Sequence, residues 1–350
     1  MHILVLGAAG MVGRKLCERL LRDGRLGKCD ISRLTMHDLM KPKMPEKAAF
    51  PVDAISGDFA APGAAEKLIA GRPDVIFHLA AVVSGEAEID FDKGYRINLD
   101  GTRMLLDAIR LASGDAGLAN GDAGLASGDV VRLAGRGYKP RVVFTSSIAV
   151  FGAPFPDAIG DEFFHAPLLS YGTQKAIAEL LLSDYSRRGF LDGVGIRLPT
   201  ICIRPGLPNK AASGFFSNIL REPLAGKEAV LPVSEAVRHW HASPRSAVGF
   251  LLHAGTMDLD AVGPRRNITM PGLSATVGEQ IAALKRVAGE KVAARIRQEP
   301  DPFIMRIVAG WPRNFETRRA HELGFTTAEK TFDDVIRIHI EDELGGTFVA

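Results

Sequence analysis

Three side chains have the types and spacing needed to take a proton from a hydroxyl group. Tyr171 and Lys175 stand four residues apart, and Ser147 precedes the tyrosine by 24 residues. Residues four apart share one face of a helix. A free phenol, with a pKa of about 10, is a poor base at neutral pH, and a neighbouring ammonium group favours the phenolate. We therefore predict that Lys175 lowers the pKa of Tyr171, that Tyr171 accepts a substrate proton, and that Ser147 hydrogen-bonds the reacting oxygen.

A glycine-rich segment, GAAGMVG at 7–13, directly follows the apolar run at 3–6. Such a turn between a buried strand and a helix lets backbone amides approach a pyrophosphate, and the positive end of the helix dipole favours that charge. The segment therefore predicts dinucleotide binding by Gly7, Gly10, Met11, Val12 and Gly13. Together with the tyrosine and lysine, it indicates redox chemistry with a nicotinamide cofactor.

Asp38 stands at the end of the second predicted strand. A carboxylate there can accept hydrogen bonds from the adenosine ribose and would repel a 2′-phosphate, so we predict NAD as the cofactor. Further cofactor contacts are predicted where the next strands end, at Asp58, Phe59, Leu79, Ala80 and Ala81.

Apolar runs alternate with helical patterns over roughly the first 200 residues, which is typical of parallel βαβ units. We predict an α/β fold of Rossmann type: a doubly wound parallel sheet at 1–198, then a smaller, discontinuous substrate lobe at 199–350 with some segments returning to the sheet. The predicted strands are 2–6, 31–37, 50–55, 74–80, 141–146 and 192–198, and the predicted helices are 11–23, 62–70, 87–111, 171–188, 214–222, 279–288 and 332–343. Small residues and near repeats at 112–137 predict a low-complexity surface insertion.

The bulk composition favours an enzyme that acts on small molecules. The 43 Lys and Arg against 41 Asp and Glu give a net charge of +2, without the basic excess expected of a nucleic-acid-binding protein. Three scattered cysteines suggest neither a disulfide framework nor a metal site. No apolar run is long enough to span a membrane and no basic segment precedes the first strand, so we expect a cytoplasmic protein.

These motifs resemble those of the extended short-chain dehydrogenase/reductase family, also called the NAD-dependent epimerase/dehydratase family. The resemblance covers roughly residues 1–250 and rests on GAAGMVG at 7–13, HLAA at 78–81, NLDGT at 98–102, TSSIAVFG at 145–152, YGTQK at 171–175 and RLPT at 197–200. It implies that Ser147, Tyr171 and Lys175 carry the chemistry. It also implies that Asn98 supports the active-site helix within the cofactor site, and that Pro199 meets the nicotinamide.

Departures from the family pattern narrow the reaction. Dehydratases of the family usually place an Asp-Glu pair after the strand-tip hydroxyl, where this chain has Ile148 and Ala149. Nucleotide-sugar epimerases usually have an Asn where Thr200 stands, followed by a longer insertion than this chain has. The first departure argues against elimination of water, and the second indicates a small substrate.

Segments at 199–206, 213–218 and 238–245 resemble those of a family member that oxidises the 2-hydroxyl of a small sugar acid with NAD. A sugar acid needs a cation for its carboxylate, and Arg238 is the first candidate, ahead of Arg204 and Arg221. Ser84, Asn218 and His241 are candidates for binding its hydroxyl groups.

Two alternatives remain open from the sequence. One is a nucleotide-sugar epimerase that uses the same three catalytic side chains, and the other is a regulator that senses NAD(P) without turnover. Dimerisation is common in the family, and the predicted helices 87–111 and 171–188 are the surfaces expected to pair in a homodimer.

Overall fold

The computed structural model of the chain describes residues 1–113, 137–206 and 212–350. Its core is a seven-stranded sheet whose strands all pair in parallel. The strands of the chain, including those outside this sheet, are β1 (His2–Leu6), β2 (Arg25–Leu26), β3 (Cys29–Asp30), β4 (Arg33–Asp38), β5 (Val52–Ser56), β6 (Val75–His78), β7 (Arg141–Ser147), β8 (Asp192–Leu198), β9 (Thr200–Ile201), β10 (Ala229–Leu231), β11 (Arg238–Ala242), β12 (Asn267–Thr269), β13 (Leu273–Thr276) and β14 (Ile296–Gln298).

The order across the large sheet is β5-β4-β1-β6-β7-β8-β12. The chain moves outward from β1 through β4 to β5, and then returns to the other side of β1 with β6. This reversal opens a crevice beyond the carboxyl ends of β1 and β6, where doubly wound sheets bind their ligands. The predicted fold class is therefore confirmed.

Both faces of the sheet are covered, which explains the continuous apolar runs in central strands such as β1 and β6. In β1, Ile3 and Val5 pack into the hydrophobic layer on one face of the sheet, while Leu4 and Leu6 pack into the layer on the opposite face. All four side chains are fully buried. Each such side chain contributes about 1.5–3 kcal/mol relative to an exposed one.

Along the chain, helices alternate with these strands or follow them. They are α1 (Met11–Asp23), α2 (Ala64–Ile69), α3 (Ser84–Ile89), α4 (Phe91–Gly94), α5 (Thr102–Ala112), α6 (Ser170–Arg187), α7 (Gly214–Leu224), α8 (Pro244–Thr256), α9 (Val277–Ala288), α10 (Glu290–Ala293), α11 (Pro302–Ala309), α12 (Arg318–Glu322) and α13 (Phe332–Leu344). None of the helices in the described ranges is long and apolar enough to cross a membrane.

The single helix predicted at 87–111 is wrong. The structure divides this stretch into α3, α4, a π-helix over Tyr95–Gly101, and α5. The break lies at Asp90, which leaves the helical conformation and caps α4 by accepting a hydrogen bond from the backbone N–H of Lys93. Gly94 fits tightly against Gln174 of α6, where a Cβ would come within 2.8 Å of the amide nitrogen.

A second hydrophobic core lies in the C-terminal part of the chain. It joins α7, α9 and α13, beside a three-stranded sheet in the order β13-β11-β9. Two later segments return to the large sheet: β12 adds its seventh strand, and α8 packs against α1. The predicted insertion at 112–137 falls mostly on 114–136, outside the described residues.

Candidate active site

The glycine-rich turn after β1 is built to bring backbone amides to a ligand. Gly7 has a φ of +87°, and a Cβ there would lie 2.7 Å from the backbone nitrogen of Ala80. A Cβ on Gly13 would lie 2.0 Å from the carbonyl oxygen of Gly7. Gly10 precedes α1 without a side-chain cap, so the amides of the first helical turn remain available. The turn therefore fits a dinucleotide pyrophosphate.

Asp38 ends β4 beside this turn, in the position predicted for a ribose contact. Its Oδ2 accepts a hydrogen bond of 2.9 Å from the backbone N–H of Ala9, and its Oδ1 accepts a longer one of 3.4 Å from Met40. The carboxylate is thus fixed at the strand end with lone pairs left for hydroxyl donors, which fits NAD.

The remaining predicted cofactor residues divide into two groups. Met11, Val12, Leu79, Ala81 and Pro199 line the cleft above the sheet. Ala80 packs behind it against Gly7. Asp58 forms an ion pair of 2.6 Å with Arg96, and the buried ring of Phe59 packs edge-on against His78. The structure therefore places Asp58 and Phe59 outside the cleft lining.

Ser147, Tyr171 and Lys175 all line one cleft of about 440 Å³. Ser147 is the last residue of β7, and Tyr171 and Lys175 are one turn apart on α6. The Lys175 ammonium donates a hydrogen bond of 2.7 Å to the carbonyl oxygen of Thr145 and lies 5.8 Å from the centre of the Tyr171 ring. The sequence prediction thus named three side chains that share a cleft.

The predicted direction of the Tyr171 pKa shift is wrong for the protein without ligands. Burial raises the pKa of Tyr171 to about 12, and the Arg204 charge and the Ser147 hydroxyl oppose this only in part. Burial also lowers the pKa of Lys175 to about 7, against the attraction of Glu179. For the phenol, the cost of removal from water outweighs the stabilisation of the phenolate by Arg204 and Ser147.

Glu179, one turn beyond Lys175, is a buried residue that the sequence interpretation missed. Its carboxylate accepts hydrogen bonds from Ser146 at 2.5 Å and from Arg197 at 2.8 Å, and lies 3.2 Å from His165. His165 and Arg197 hold the pKa of Glu179 below its ordinary value despite complete burial. Because residues four apart share one face of a helix, its spacing from Lys175 could have identified Glu179 from the sequence.

Asn98 does not reach the cleft, although it was predicted within the cofactor site. Its amide nitrogen donates to the carbonyl oxygen of Val82 and to Oε1 of Gln174, and its Oδ1 accepts from the backbone N–H of Val82. Because the side chain is buried and fully occupied, it ties the π-helix to the β6–α3 loop and to α6. This placement supports a positioning role.

The substrate contacts predicted on β11 are wrong. Arg238 is partly exposed, donates to the carbonyl oxygen of Ser274 and pairs with Glu279 at 3.2 Å, away from the cleft. His241 is fully buried and lies 3.0 Å from the amide nitrogen of Gln280. Ser84 and Asn218, by contrast, do line the cleft.

Two arginines of the smaller lobe, Arg204 and Arg221, line the cleft, and they differ in whether a carboxylate of the described ranges pairs with them. Arg221 pairs with Glu222 at 2.7 Å and also donates to Asn218. Arg204 donates to the carbonyl oxygen of Ile201 and to Ser213 Oγ, and no carboxylate in the described ranges pairs with it. Burial lowers the pKa of Arg204 from its ordinary value. A partly buried cation whose partners in the described ranges are all neutral favours an anionic ligand.

Several further cleft residues were missed by the sequence interpretation, namely Thr200, Ser217, His239, Trp311 and Pro312. They come from four separate segments of the chain. His239 could have been identified from the sequence, because side chains alternate along a strand and His239 therefore lies on the face of β11 opposite Arg238.

Comparison with known proteins agrees with this geometry. The family described as the NAD dependent epimerase/dehydratase family matches residues 3–243. D-erythronate dehydrogenase of Cupriavidus necator is 42% identical over 98% of both chains. D-erythronate dehydrogenase of Haemophilus influenzae is 38% identical over 98% of this chain and all of its own.

A solved structure described as a nucleoside-diphosphate-sugar epimerase from Agrobacterium tumefaciens is 65% identical. It superimposes with a TM-score of 0.91 over 99% of this chain and 95% of its own. L-threonine 3-dehydrogenase from Trypanosoma brucei, at 20% identity and a TM-score of 0.79 over 99% of both chains, shares the fold. On the family match and these identities, the chain belongs to the NAD-dependent epimerase/dehydratase family.

Proposed function

We propose that this protein oxidises the 2-hydroxyl of a small sugar acid with NAD, converting D-erythronate to 2-dehydro-D-erythronate. The observation that carries the proposal is Arg204, a partly buried cation without an acidic partner in the described ranges, in the same cleft as Tyr171 and Lys175. A carboxylate substrate would supply the missing anion. The curated relatives named above support this choice of acid.

In this proposal each of four side chains has a separate role in oxidation of the C2 hydroxyl. Tyr171 accepts its proton, and Ser147 donates a hydrogen bond to the same oxygen. Lys175 stabilises the phenolate by its charge, and Glu179 keeps that charge favourable in a buried site. Bound NAD supplies the acceptor for the C2 hydride and a positive charge that favours the phenolate.

The carboxylate is assigned to Arg204 instead of Arg238. The Arg204 backbone N–H donates to Ser217 Oγ, and its guanidinium is held by two further hydrogen bonds, so its position is fixed before substrate arrives. Such preorganisation reduces the entropic cost of binding. Ser84 and Asn218 remain candidates for the sugar hydroxyls.

The test is a redox assay with purified protein. D-erythronate and NAD should give one reduced cofactor per acid consumed, followed by absorbance, while NADP should react poorly because of Asp38. C4 to C6 sugar acids with other configurations serve as comparisons. Absence of reduced cofactor with every acid would contradict the proposal.

The epimerase alternative is favoured by the description of the 65% identical structure. It predicts interconversion of two nucleotide sugars without accumulation of reduced cofactor, so the same assay separates the two functions. The regulator alternative predicts NAD(P) binding without consumption of either class of substrate.

We also propose that the chain forms a homodimer. Ile89, Phe91 and Leu180 are exposed apolar side chains on α3, α4 and α6, which pack together. Pairing of such surfaces would remove them from water.

A further inference from the structure

One pair of side chains in the cleft has no part in the reaction described above. In the strand register, Thr200 on β9 pairs with His241 of β11. His239, two residues earlier on β11, lies diagonally from Thr200, with Nε2 of its ring 2.7 Å from the threonine Oγ1. Both residues line the cleft. The other ring nitrogen, Nδ1, lies 2.8 Å from the carbonyl oxygen of Pro312.

These contacts fix the direction of each hydrogen bond. A carbonyl oxygen only accepts, so Nδ1 of His239 carries the hydrogen that points to Pro312. Burial and the charge of Arg204 lower the pKa of His239 to about 4, so the ring is neutral near pH 7 and Nε2 is an acceptor. The hydroxyl of Thr200 must therefore donate its hydrogen to Nε2.

The ring cannot readily turn to reverse this arrangement. Phe216 stacks on His239 with the two planes 4° apart and the centres separated by 5.2 Å. Trp311 packs on it with a centre distance of 5.3 Å. Because its hydrogen is committed, Thr200 offers the cleft only the lone pairs of its oxygen.

We propose that Thr200 selects the substrate by accepting a hydrogen bond from a hydroxyl group other than the one being oxidised. This inference rests on the proposed sugar-acid function and narrows it, since a simple 2-hydroxy acid lacks that donor. The substrate class is a polyhydroxy acid whose carboxylate lies at Arg204 and whose second hydroxyl lies at Thr200.

An ammonium group could also donate to Thr200, but the charges nearby oppose it. Burial is the main cause that disfavours a proton on the ring of His239, the partner of Thr200, and the charge of Arg204 adds to it. The same charge would repel an ammonium on the substrate. The pair is therefore suited to a sugar acid and unsuited to an amino acid.

The experiment compares kcat/KM for D-erythronate with kcat/KM for the analogues that lack the 3-hydroxyl or the 4-hydroxyl. For the unaltered protein, one of the two deoxy analogues should be at least about tenfold poorer, because it leaves the partly buried Thr200 oxygen without a donor in the cleft. Thr200→Val should abolish that preference, and Thr200→Ser should keep it. L-threonine serves as the ammonium-bearing comparison and should give no reduced cofactor.

Thr256→Val is the matched control, since Thr256 is exposed near the end of α8 and far along the chain from the cleft segments. It should keep the preference of the unaltered protein. Should Thr200→Val fail to fold, as judged by thermal melting, Thr200→Ala and His239→Gln carry the same comparison.

The outcomes separate the two proposals. If no sugar acid yields reduced cofactor, the proposed function fails and this inference fails with it. If D-erythronate is oxidised but both deoxy analogues react equally well, or Thr200→Val keeps the preference, only the role of Thr200 is overturned.

Discussion

At the scale of single residues, burial decides the protonation of the catalytic groups. Tyr171 and Lys175 both shift towards their neutral forms, to pKa values of about 12 and about 7, because the cleft removes them from water. Near pH 7 the phenol is therefore protonated and neutral, and the amine is close to half protonated. A positive charge from bound cofactor would bring the tyrosine closer to the phenolate.

The first prediction concerns the proton acceptor. Tyr171→Phe should lower kcat for D-erythronate by about 10²–10⁴-fold, the usual contribution of general acid–base catalysis, while NAD still binds. The measurement is reduced-cofactor formation at saturating NAD. Tyr185→Phe is the matched control, because Tyr185 lies on the same helix and hydrogen-bonds Asp107 instead. Unchanged turnover in Tyr171→Phe would contradict the assignment.

The second prediction compares two arginines of the smaller lobe. Arg204→Met should lower kcat/KM for the acid by about 10–150-fold, chiefly through KM, since charged hydrogen bonds contribute about 1.5–3 kcal/mol. Arg238→Met should change it by less than about twofold, because its ion pair with Glu279 is partly exposed. Steady-state kinetics with varied acid checks both. Equal losses in the two variants would mean that Arg204 is not the carboxylate partner.

The third prediction concerns stability and pH. The folded pKa of Lys175, about 7, lies below its unfolded value of about 10.4, so between them the unfolded chain binds more protons. The free energy of unfolding should therefore rise as the pH increases through this window. Between about pH 7 and 8.5 we expect a gain of about 1–2 kcal/mol from this group.

Urea denaturation of the protein without ligands measures that gain. The window avoids the buried His78, His239 and His339, whose lowered pKa values place their titration at lower pH. Towards the upper end of the window, ionisation of Cys17 and Cys202 in the unfolded chain lowers the stability of the unaltered protein and of Lys175→Met alike, because burial raises the pKa of both thiols in the folded protein. Lys175→Met should lack the rise, and an identical rise in both proteins would refute its origin in Lys175.

At the scale of elements, the sequence predicted those strands and helices whose boundaries depend on the local pattern of apolar residues. The strands and helices of the first 200 residues, apart from 87–111, have boundaries near the predicted ones because a covered parallel sheet needs continuous apolar runs. The π-helix around Asn98 could not be read from periodicity, since its partners Val82 and Gln174 are distant in the chain. The same limit applies to Trp311 and Pro312, which reach the cleft only through tertiary packing.

The fourth prediction tests the turn between β1 and α1. Gly13→Ala should weaken NAD binding by at least about tenfold, or about 1.4 kcal/mol, because its Cβ would lie 2.0 Å from the Gly7 carbonyl oxygen. Isothermal titration with NAD gives the affinity. Gly249→Ala is the matched control, since a Cβ on this exposed residue of α8 meets nothing within 4 Å. Equal NAD affinity in the two variants would place the pyrophosphate elsewhere.

At the scale of the whole molecule, the cleft lies between parts of the chain with separate hydrophobic cores. Ser147 and Tyr171 come from the sheet and its covering helices, whereas Arg204 and His239 come from segments beside the second core. The proposed chemistry and the proposed substrate selection thus belong to different parts of the fold. The predicted boundary near 198 and the expected cytoplasmic location stay predictions.

The fifth prediction concerns assembly. If the exposed apolar side chains of α3, α4 and α6 form a twofold interface, light scattering after size exclusion should give twice the chain mass. Leu180→Glu places a charge on that surface and should shift the protein towards monomer, because burying an unpaired carboxylate is costly. Leu39→Glu, at an equally exposed leucine after β4, should leave the mass unchanged. A monomer in the unaltered protein, or a dimer that survives Leu180→Glu, would move the interface away from these helices.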